Sequence, residues 1–294
     1  MKIMFDDKKI IEYVVMNPSG NITILVMSDV EDEEEYYFVA KKLLELEPAA
    51  EQVGFLQYDD ESDIILSMAG GEFCGNATMS AAVYYGILHG LSDGNVVVKS
   101  SGADGLVNVH VKKINDWEGT VEMPKPLEIS EVDFGNDEKF PVVFFKGIAH
   151  VIIDKSCVAR IARPYDGDRP DDEFTKINIE EKIKEWCEFL GVPAIGIMLC
   201  DNIDDIKKIQ NFDITEVNMT PLVYVKSIDT LYWESSCASG TTAVGTYIAN
   251  VMNSNGKINV RQPSGTILSI EKTVDGKLLL TGKVKLLYKK SVMI

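Results

Sequence analysis

The sequence has few basic residues for its length and lacks long apolar runs. Among 294 residues, 29 Lys and Arg face 46 Asp and Glu, which gives a formal net charge of −17. Such an acidic chain repels phosphate backbones and anionic lipids, so nucleic acids and membrane surfaces are poor partners. No stretch approaches the ~20 apolar residues of a transmembrane helix, and the first residues lack the features of a signal peptide. We therefore expect a cytoplasmic protein.

Cysteine is scarce, and metal-binding cysteine patterns are absent. The five cysteines show neither CxxC nor Cys/His spacing: Cys74, Cys157, Cys187, Cys200 and Cys237. In a reducing compartment we expect free thiols, with no metal site. Three of them are interpreted as small buried hydrophobes, namely Cys157, Cys187 and Cys200. The other two need a separate explanation.

One pattern occurs twice. Cys74–Thr78 and Cys237–Thr241 each open an apolar segment with the composition of a buried helix. Each is followed by a predicted strand pair that begins at a Ser-Gly dipeptide, Ser101-Gly102 and Ser264-Gly265. The interval from Cys to Ser is the same in both halves, which indicates one structural unit used twice. Chance similarity of two helix–hairpin units is the alternative.

The repeat predicts the fold class. We expect an α/β (α+β) protein of two pseudo-symmetric lobes, each a mixed sheet wrapped around a central buried helix. The predicted helices are Asn76–Leu88 and Gly240–Met252. The predicted lobes are 1–130, which carries Cys74, and 131–294, which carries Cys237. The two helix N-termini would then flank a cleft between the lobes.

A cysteine at a helix N-terminus is suited to acid–base chemistry. The helix dipole and the unpaired amides of the first turn stabilise a thiolate. The same amides can bind a carboxylate, and we assign that role to Gly75, Asn76, Ala238 and Ser239. Inversion of an amino-acid α-carbon needs a base on one face and an acid on the other, which a thiolate and a thiol supply. For either cysteine alone, a buried helix cap is the simpler interpretation.

Several motifs resemble the diaminopimelate epimerase family, whose superfamily includes proline racemases and phenazine-biosynthesis isomerases. They are Met16–Asn21, Glu72–Ala77, Cys237–Thr241 and Arg261–Gly265. The resemblance implies the diaminopimelate epimerase-like fold. It also implies a two-base mechanism without pyridoxal phosphate or other cofactor, in which the two repeated cysteines are the bases.

Further roles follow from the same resemblance. His150 would assist Cys74, whereas Glu234 would assist Cys237 and hold the substrate's α-ammonium group. Asn21 lies in the motif that corresponds to the family's Gly-Asn opening, and we expect it to contact substrate. A core histidine and a surface carboxylate are the respective alternatives for His150 and Glu234.

The departures from the family pattern lie at positions that would bind a second amino-acid group at the far end of the substrate. Ser235 stands where the family has Arg directly after its Glu, and Met68 and Ile148 stand where it has Asn. A far carboxylate would stay unpaired at such a site. The pattern therefore resembles relatives that racemise an amino acid with only one amino-acid group, such as histidine racemases.

Other functions stay open at this point. They are an epimerase of diaminopimelate or lanthionine, a phenazine-type isomerase, a proline racemase (which has His where this chain has Asn76) and a non-catalytic amino-acid-binding protein. A binding protein has no need of two reactive thiols. The expected partner is a small amino acid, and a homodimer is compatible with the sequence, which does not define the oligomeric state.

Overall fold

The computed structural model describes residues 9–30, 33–135, 139–158, 172–201, 203, 216–252 and 256–294. Two compact units divide the chain: the first comprises Met1–Glu122 with Leu280–Ile294, and the second comprises Met123–Leu279. The expected lobes, 1–130 and 131–294, differ from this division chiefly at the C-terminal segment. That segment returns to the first unit because its strand pairs there with the first strand of the chain.

The described residues form sixteen strands and four α-helices. The strands are β1 (Ile10–Pro18), β2 (Thr23–Val26), β3 (Gln52–Gln57), β4 (Ile64–Met68), β5 (Asp93–Ser100), β6 (Leu106–Lys113), β7 (Trp117–Met123), β8 (Glu128–Asp133), β9 (Lys139–Phe145), β10 (Ile148–Asp154), β11 (Ala194–Cys200), β12 (Glu216–Val225), β13 (Thr230–Trp233), β14 (Lys257–Arg261), β15 (Ile267–Lys272) and β16 (Leu278–Met293). The helices are α1 (Glu33–Leu46), α2 (Gly75–His89), α3 (Asp172–Leu190) and α4 (Ala238–Val251). None of these helices is both long and apolar enough to cross a membrane.

The first unit is a closed barrel of eight strands. Its strands follow the order β1 to β7 and then β16, which pairs back onto β1. The β2–β3 and β4–β5 pairs are parallel, and the β1–β16, β1–β2, β3–β4, β5–β6 and β6–β7 pairs are antiparallel. The mixed α+β class expected from the sequence is confirmed.

Helix α2 packs against β1, β2, β4, β5 and β6. Its sequence is apolar with small residues throughout, and most of its residues are buried. It begins after Cys74 and ends at Gly90, which adopts a left-handed conformation with φ 69°. Helix α1 packs on β3, where Tyr36 stacks on Phe55. The position of Cys74 is thus fixed by a helix that is held in the core.

The second unit contains β8 to β15 with α3 and α4. Its strands run β8-β9-β10-β11-β12-β14-β15, and β13 pairs with β12. The β10–β11 and β12–β14 pairs are parallel. Alternate residues of β10 and β11, such as Val151 and Ile197, share a core with Trp186 and Cys187 of α3. The intervening residues, among them His150 and Met198, face the other side of the sheet, and α4 also contacts these two strands.

Most predicted elements lie close to their expected positions. The helices expected at Asn76–Leu88 and Gly240–Met252 are α2 and α4, which begin one and two residues earlier. Strand β8 crosses the predicted lobe boundary at residue 130. The pseudo-symmetry of two lobes stays a prediction.

Candidate functional site

Cys74 is the N-cap of α2. Its backbone is extended, with φ −125° and ψ 111°, and its Sγ accepts the amide of Ala77 at 3.5 Å. The hydroxyl of Thr78 donates to the Cys74 carbonyl at 2.7 Å and lies 3.3 Å from Ser100 Oγ, at the end of β5. Helix and strand together therefore fix the cysteine backbone. The adjacent Gly75 and Asn76 are both buried.

A line of hydrogen-bonded side chains connects Cys74 to Glu51. Cys74 Sγ donates to Gln52 Oε1 at 3.1 Å. Gln52 Nε2 donates to Asn21 Oδ1 at 2.5 Å and to Thr23 Oγ1 at 2.8 Å. Asn21 Nδ2 donates in turn to Glu51 Oε2 at 2.6 Å. The side chain of Asn21, predicted to contact substrate, thus bonds to Gln52 and Glu51.

The turn between β5 and β6 supports the loop that leads to Cys74. Gly102 has a φ of +68°, and a methyl group on it would collide with the backbone nitrogen of Phe73. Ser101 Oγ donates to the carbonyl of Glu72 at 2.9 Å. The Ser-Gly pair singled out in the sequence therefore holds the approach to the cysteine.

Cys237 is the N-cap of α4. Its φ of −124° and ψ of 112° are close to those of Cys74, and its Sγ accepts the amide of Gly240 at 3.3 Å. The hydroxyl of Thr241 donates to the Cys237 carbonyl at 2.7 Å. Gln262, which directly follows β14, accepts the Cys237 amide at 3.1 Å and donates to Thr241 Oγ1 at 3.0 Å. The repeated sequence pattern is thus a repeated local geometry.

Burial and a neighbouring carboxylate control the Cys237 thiol. Burial raises the pKa of Cys237 well above its usual value, and the negative charge of Glu234 and its hydrogen bond with the thiol raise it further. Ser239, whose Oγ is 3.5 Å from Cys237 Sγ, and the Gly240 amide act in the opposite direction. The amide at the helix N-terminus acts in the expected direction, but burial and Glu234 outweigh it, so the net pKa of Cys237 is raised. The thiol is therefore protonated beside an acceptor carboxylate.

His150 is a buried side chain of the second unit. Its ring is fully buried, and within the described residues neither ring nitrogen has a hydrogen-bond partner. A core histidine that donates to a backbone carbonyl, the alternative above, does not match this arrangement. Burial lowers the pKa of His150 to about 3, so its imidazole is neutral near pH 7.

Two residues that the sequence did not single out shape the surroundings of His150. A methyl group at Gly196 would collide with His150 Nδ1 and would lie 2.7 Å from Met198 Cε. At Gly240, an added methyl group would collide with Met198 Sδ and lie 3.1 Å from Cys237 Sγ. The side chain of Met198 therefore borders the histidine on one side and the first turn of α4 on the other.

The predicted residues fall into two groups. Cys74, Gly75, Asn76 and Asn21 belong to the first unit, and the second contains Cys237, Ala238, Ser239, Glu234 and His150. Sequence reasoning did not assign the polar partners Gln52, Glu51, Thr78, Thr241 and Gln262. The threonines carried a signal, because each stands four residues after a repeated cysteine.

Within the parts of the chain that the structure describes, no cluster of three or more His, Cys, Asp or Glu side chains is arranged to hold a metal ion.

The fold is shared with known protein structures. A phenazine biosynthesis protein of the PhzF family from Bacillus anthracis has a TM-score of 0.66 and 13% sequence identity, over 97% of this chain and 100% of that one. A hydroxyproline epimerase from Agrobacterium vitis, solved with bound trans-4-hydroxy-L-proline, has a TM-score of 0.63 and 13% identity, over 100% of this chain and 94% of that one. These two similarities show the fold of the chain.

Sequence similarity defines the family. The family model described as the histidine racemase CntK N-terminal domain matches residues 10–288. A histidine racemase from Staphylococcus aureus (strain Mu50) is 32% identical over 276 residues, which cover 90% of each chain. This chain belongs to the histidine racemase family and is an isomerase.

Proposed function

We propose that this protein is a histidine racemase that inverts the α-carbon with a pair of cysteines and without a cofactor. The observation that carries the proposal is the repeated cap: Cys74 and Cys237 share backbone dihedral angles and the same bonds to the first turn of a buried helix. Two equivalent thiols match a reaction that needs one proton acceptor and one proton donor.

In the proposed reaction, the thiolate of one cysteine removes the Cα proton. The electron pair of the broken C–H bond spreads into the adjacent carboxylate, which backbone amides at the helix N-termini stabilise. The thiol of the other cysteine then delivers its proton to the opposite face of Cα. The product has inverted configuration, and the two cysteines have exchanged protonation states.

Glu234 and His150 have distinct roles in this proposal. Glu234 takes the proton of Cys237 through their hydrogen bond, so that a thiolate forms in a buried position where proton release to water is costly. Its other carboxyl oxygen accepts a hydrogen bond from the substrate ammonium. His150 is a neutral hydrogen-bonding group for the substrate. Both of its ring nitrogens need partners in the buried state, and this supports the role.

A preference for histidine is supported by family membership and by the absent groups for a second carboxylate. Met68 is buried, and Ser235 follows Glu234 where the resembling family has Arg. The side chain of histidine is a neutral imidazole, so this substrate has no second carboxylate that these positions would need to pair.

The test measures interconversion of L- and D-histidine by chiral chromatography, with other neutral amino acids and diaminopimelate for comparison. We expect the highest kcat/KM for histidine, unchanged after exhaustive chelation and without added pyridoxal phosphate.

Cys74→Ser and Cys237→Ser should each abolish racemisation, because a hydroxyl is a far weaker acid than a thiol. Each variant should still exchange the Cα proton of one enantiomer with deuterated water, and the two should favour opposite enantiomers. A preference for diaminopimelate would refute the substrate, and racemisation at the parent rate by either serine variant would refute the mechanism.

A further inference from the structure

The hydrogen bonds behind Cys74 have a direction that can be assigned from one end. Glu51 carries a carboxylate, which only accepts hydrogen bonds when ionised. Asn21 must therefore present its NH₂ group to Glu51, at 2.6 Å, and its carbonyl oxygen to Gln52. Gln52 in turn must present its NH₂ group to Asn21 and its carbonyl oxygen to Cys74.

A second acceptor, the Thr23 hydroxyl, supports the same orientation of Gln52. Thr23 Oγ1 donates its own hydrogen to the backbone carbonyl of Asn21 at 3.0 Å, so toward Gln52 it accepts. Both hydrogens of the Gln52 amide are then used, one by Asn21 and one by Thr23. Rotation of this amide by 180° would lose both bonds and place oxygen against oxygen. Thr23 is fully buried and Asn21 nearly so, which makes such losses costly.

A carbonyl oxygen fixed in this way distinguishes the two forms of a thiol. It accepts the hydrogen of an S–H group, as the distance of 3.1 Å from Cys74 Sγ allows. It repels a thiolate, which has no hydrogen to donate. A hydrogen bond that exists only with the neutral form favours that form.

We propose that Gln52 is a positioning residue that keeps Cys74 protonated and oriented as the proton donor of the resting enzyme, and that Glu51 sets the direction of the connecting hydrogen bonds through Asn21. The inference rests on the proposed function where it assigns Cys74 as a proton donor. The orientation of Gln52 itself does not depend on that function.

The charged groups near Cys74 define the necessary control. Glu51 precedes β3 and acts through the amides, whereas Glu72 lies two residues before Cys74 and bonds to backbone amides of its own loop. The first turn of α2 carries no acidic residue. Removal of either carboxylate removes one negative charge from this region, but only the Glu51 carboxylate ends the line of amides.

The experiment compares Glu51→Gln with Glu72→Gln in the full-length protein. In Glu51→Gln the anchoring carboxylate becomes an amide that can also donate. The amides can then reverse, with the Thr23 hydroxyl rotating to donate to Gln52, and Gln52 can present its NH₂ group to a thiolate. Iodoacetamide labelling of Cys74 is followed by mass spectrometry as a function of pH, with Cys237 in the same molecules as an internal reference. We expect the labelling midpoint of Cys74 to fall in Glu51→Gln, with about tenfold faster labelling at neutral pH for each unit of decrease. Glu72→Gln should give a clearly smaller shift.

A kinetic measurement separates this inference from the proposed function. The alkaline limb of the racemisation profile should move to lower pH in Glu51→Gln by the same amount as the labelling midpoint, because Cys74 loses its proton earlier. An unchanged or raised midpoint in Glu51→Gln, or an equal shift in Glu72→Gln, would overturn the role of Gln52. If the labelling midpoint shifts in Glu51→Gln but the parent protein does not racemise histidine, the proposed function is overturned instead. Far-UV circular dichroism of both variants establishes that they are folded.

Discussion

At the scale of single residues, the two cysteines share a geometry but differ in their partners. Cys74 donates to a neutral amide oxygen at 3.1 Å, whereas the Cys237 thiol is bonded to the carboxylate of Glu234. An amide oxygen cannot take up a proton near neutral pH, and a carboxylate can. In the proposed mechanism, Cys237 therefore has a bonded group that can take up its proton, whereas Cys74 has none in Gln52.

Glu234→Gln should therefore impair racemisation more than a loss of charge alone would. Glutamine keeps the shape but cannot take the thiol proton, so we expect a decrease in kcat/KM of about 10²-fold or more at pH 7. Part of the activity should return at high pH, where hydroxide can deprotonate Cys237. Glu180→Gln is the matched control, because Glu180 accepts Trp233 Nε1 at 2.7 Å, one residue from Glu234 in sequence. Parent-like kinetics in Glu234→Gln would exclude Glu234 as the proton acceptor.

The buried His150 predicts a specific dependence of stability on pH. Its pKa is about 3 in the folded protein, against about 6.5 for an unperturbed histidine. Between these values the unfolded chain binds a proton that the native protein does not, so stability decreases as pH falls below 6.5. At pH 5 the loss relative to pH 7 is about 2 kcal/mol.

Urea unfolding of the parent and of His150→Gln at pH 7 and pH 5 measures this effect. The variant has no group to titrate at that position, so its free energy of unfolding should decrease less between pH 7 and pH 5. His89→Gln, at the exposed end of α2, is the control. Equal losses in the parent and in His150→Gln would contradict the buried neutral state of the imidazole.

At the scale of elements, each cysteine depends on a helix that a following strand fixes. Thr78 contacts Ser100 at the end of β5, and Thr241 contacts Gln262 after β14. Spacing in the sequence was sufficient to predict the two helices and their cysteines, because the same residue types recur at the same intervals. The polar network behind Cys74 was not predictable in this way, since Asn21, Glu51 and Gln52 come together only through strand pairing.

The turn between β5 and β6 offers a sharp test of this support. Gly102→Ala places a methyl group against the Phe73 backbone and forces a non-glycine residue to a φ of +68°. We expect a loss of stability of about 1–3 kcal/mol, together with impaired racemisation because the loop before Cys74 must shift. Gly105→Ala is the control in the same turn, where an added methyl group meets no atom within 4 Å. Thermal unfolding of both variants, measured with their racemisation rates, distinguishes the two positions. Equal melting temperatures would show that the contact at Gly102 is unimportant.

At the scale of the whole molecule, the chain completes its first unit last. Strand β16 pairs with β1 over most of the length of β1, and the Lys9 and Ile294 backbones exchange two hydrogen bonds at 3.0 and 2.9 Å. This closure was not predicted from the sequence. The repeat indicated that the strands from Ser264 onward belong with the second cysteine, and no local pattern marks a strand whose partner lies more than 260 residues away.

This arrangement predicts that the chain tolerates circular permutation. A protein that begins at Lys125, continues to Ile294 and then runs from Met1 to Pro124 keeps every strand pair of the first unit. The Lys9 and Ile294 backbones are already hydrogen-bonded to each other near the joined ends. We expect it to fold and to racemise histidine at a rate within about tenfold of the parent. A chain that stops at Leu279 lacks β16, one of the two pairing partners of β1, and should aggregate or fail to fold. If the truncated chain were folded and active, barrel closure by β16 would be unnecessary.

The late position of β16 also affects synthesis on the ribosome. Leu280–Ile294 leaves the exit tunnel only after all of the second unit has been translated, so β1 stays exposed as an open sheet edge during that time. At 5–20 residues per second, the roughly 160 residues of the second unit take on the order of 10 seconds to appear. An exposed edge over such a period favours pairing with other nascent chains. The conspicuously acidic composition, with its net charge of −17, counteracts this by electrostatic repulsion between neighbouring chains on a polysome.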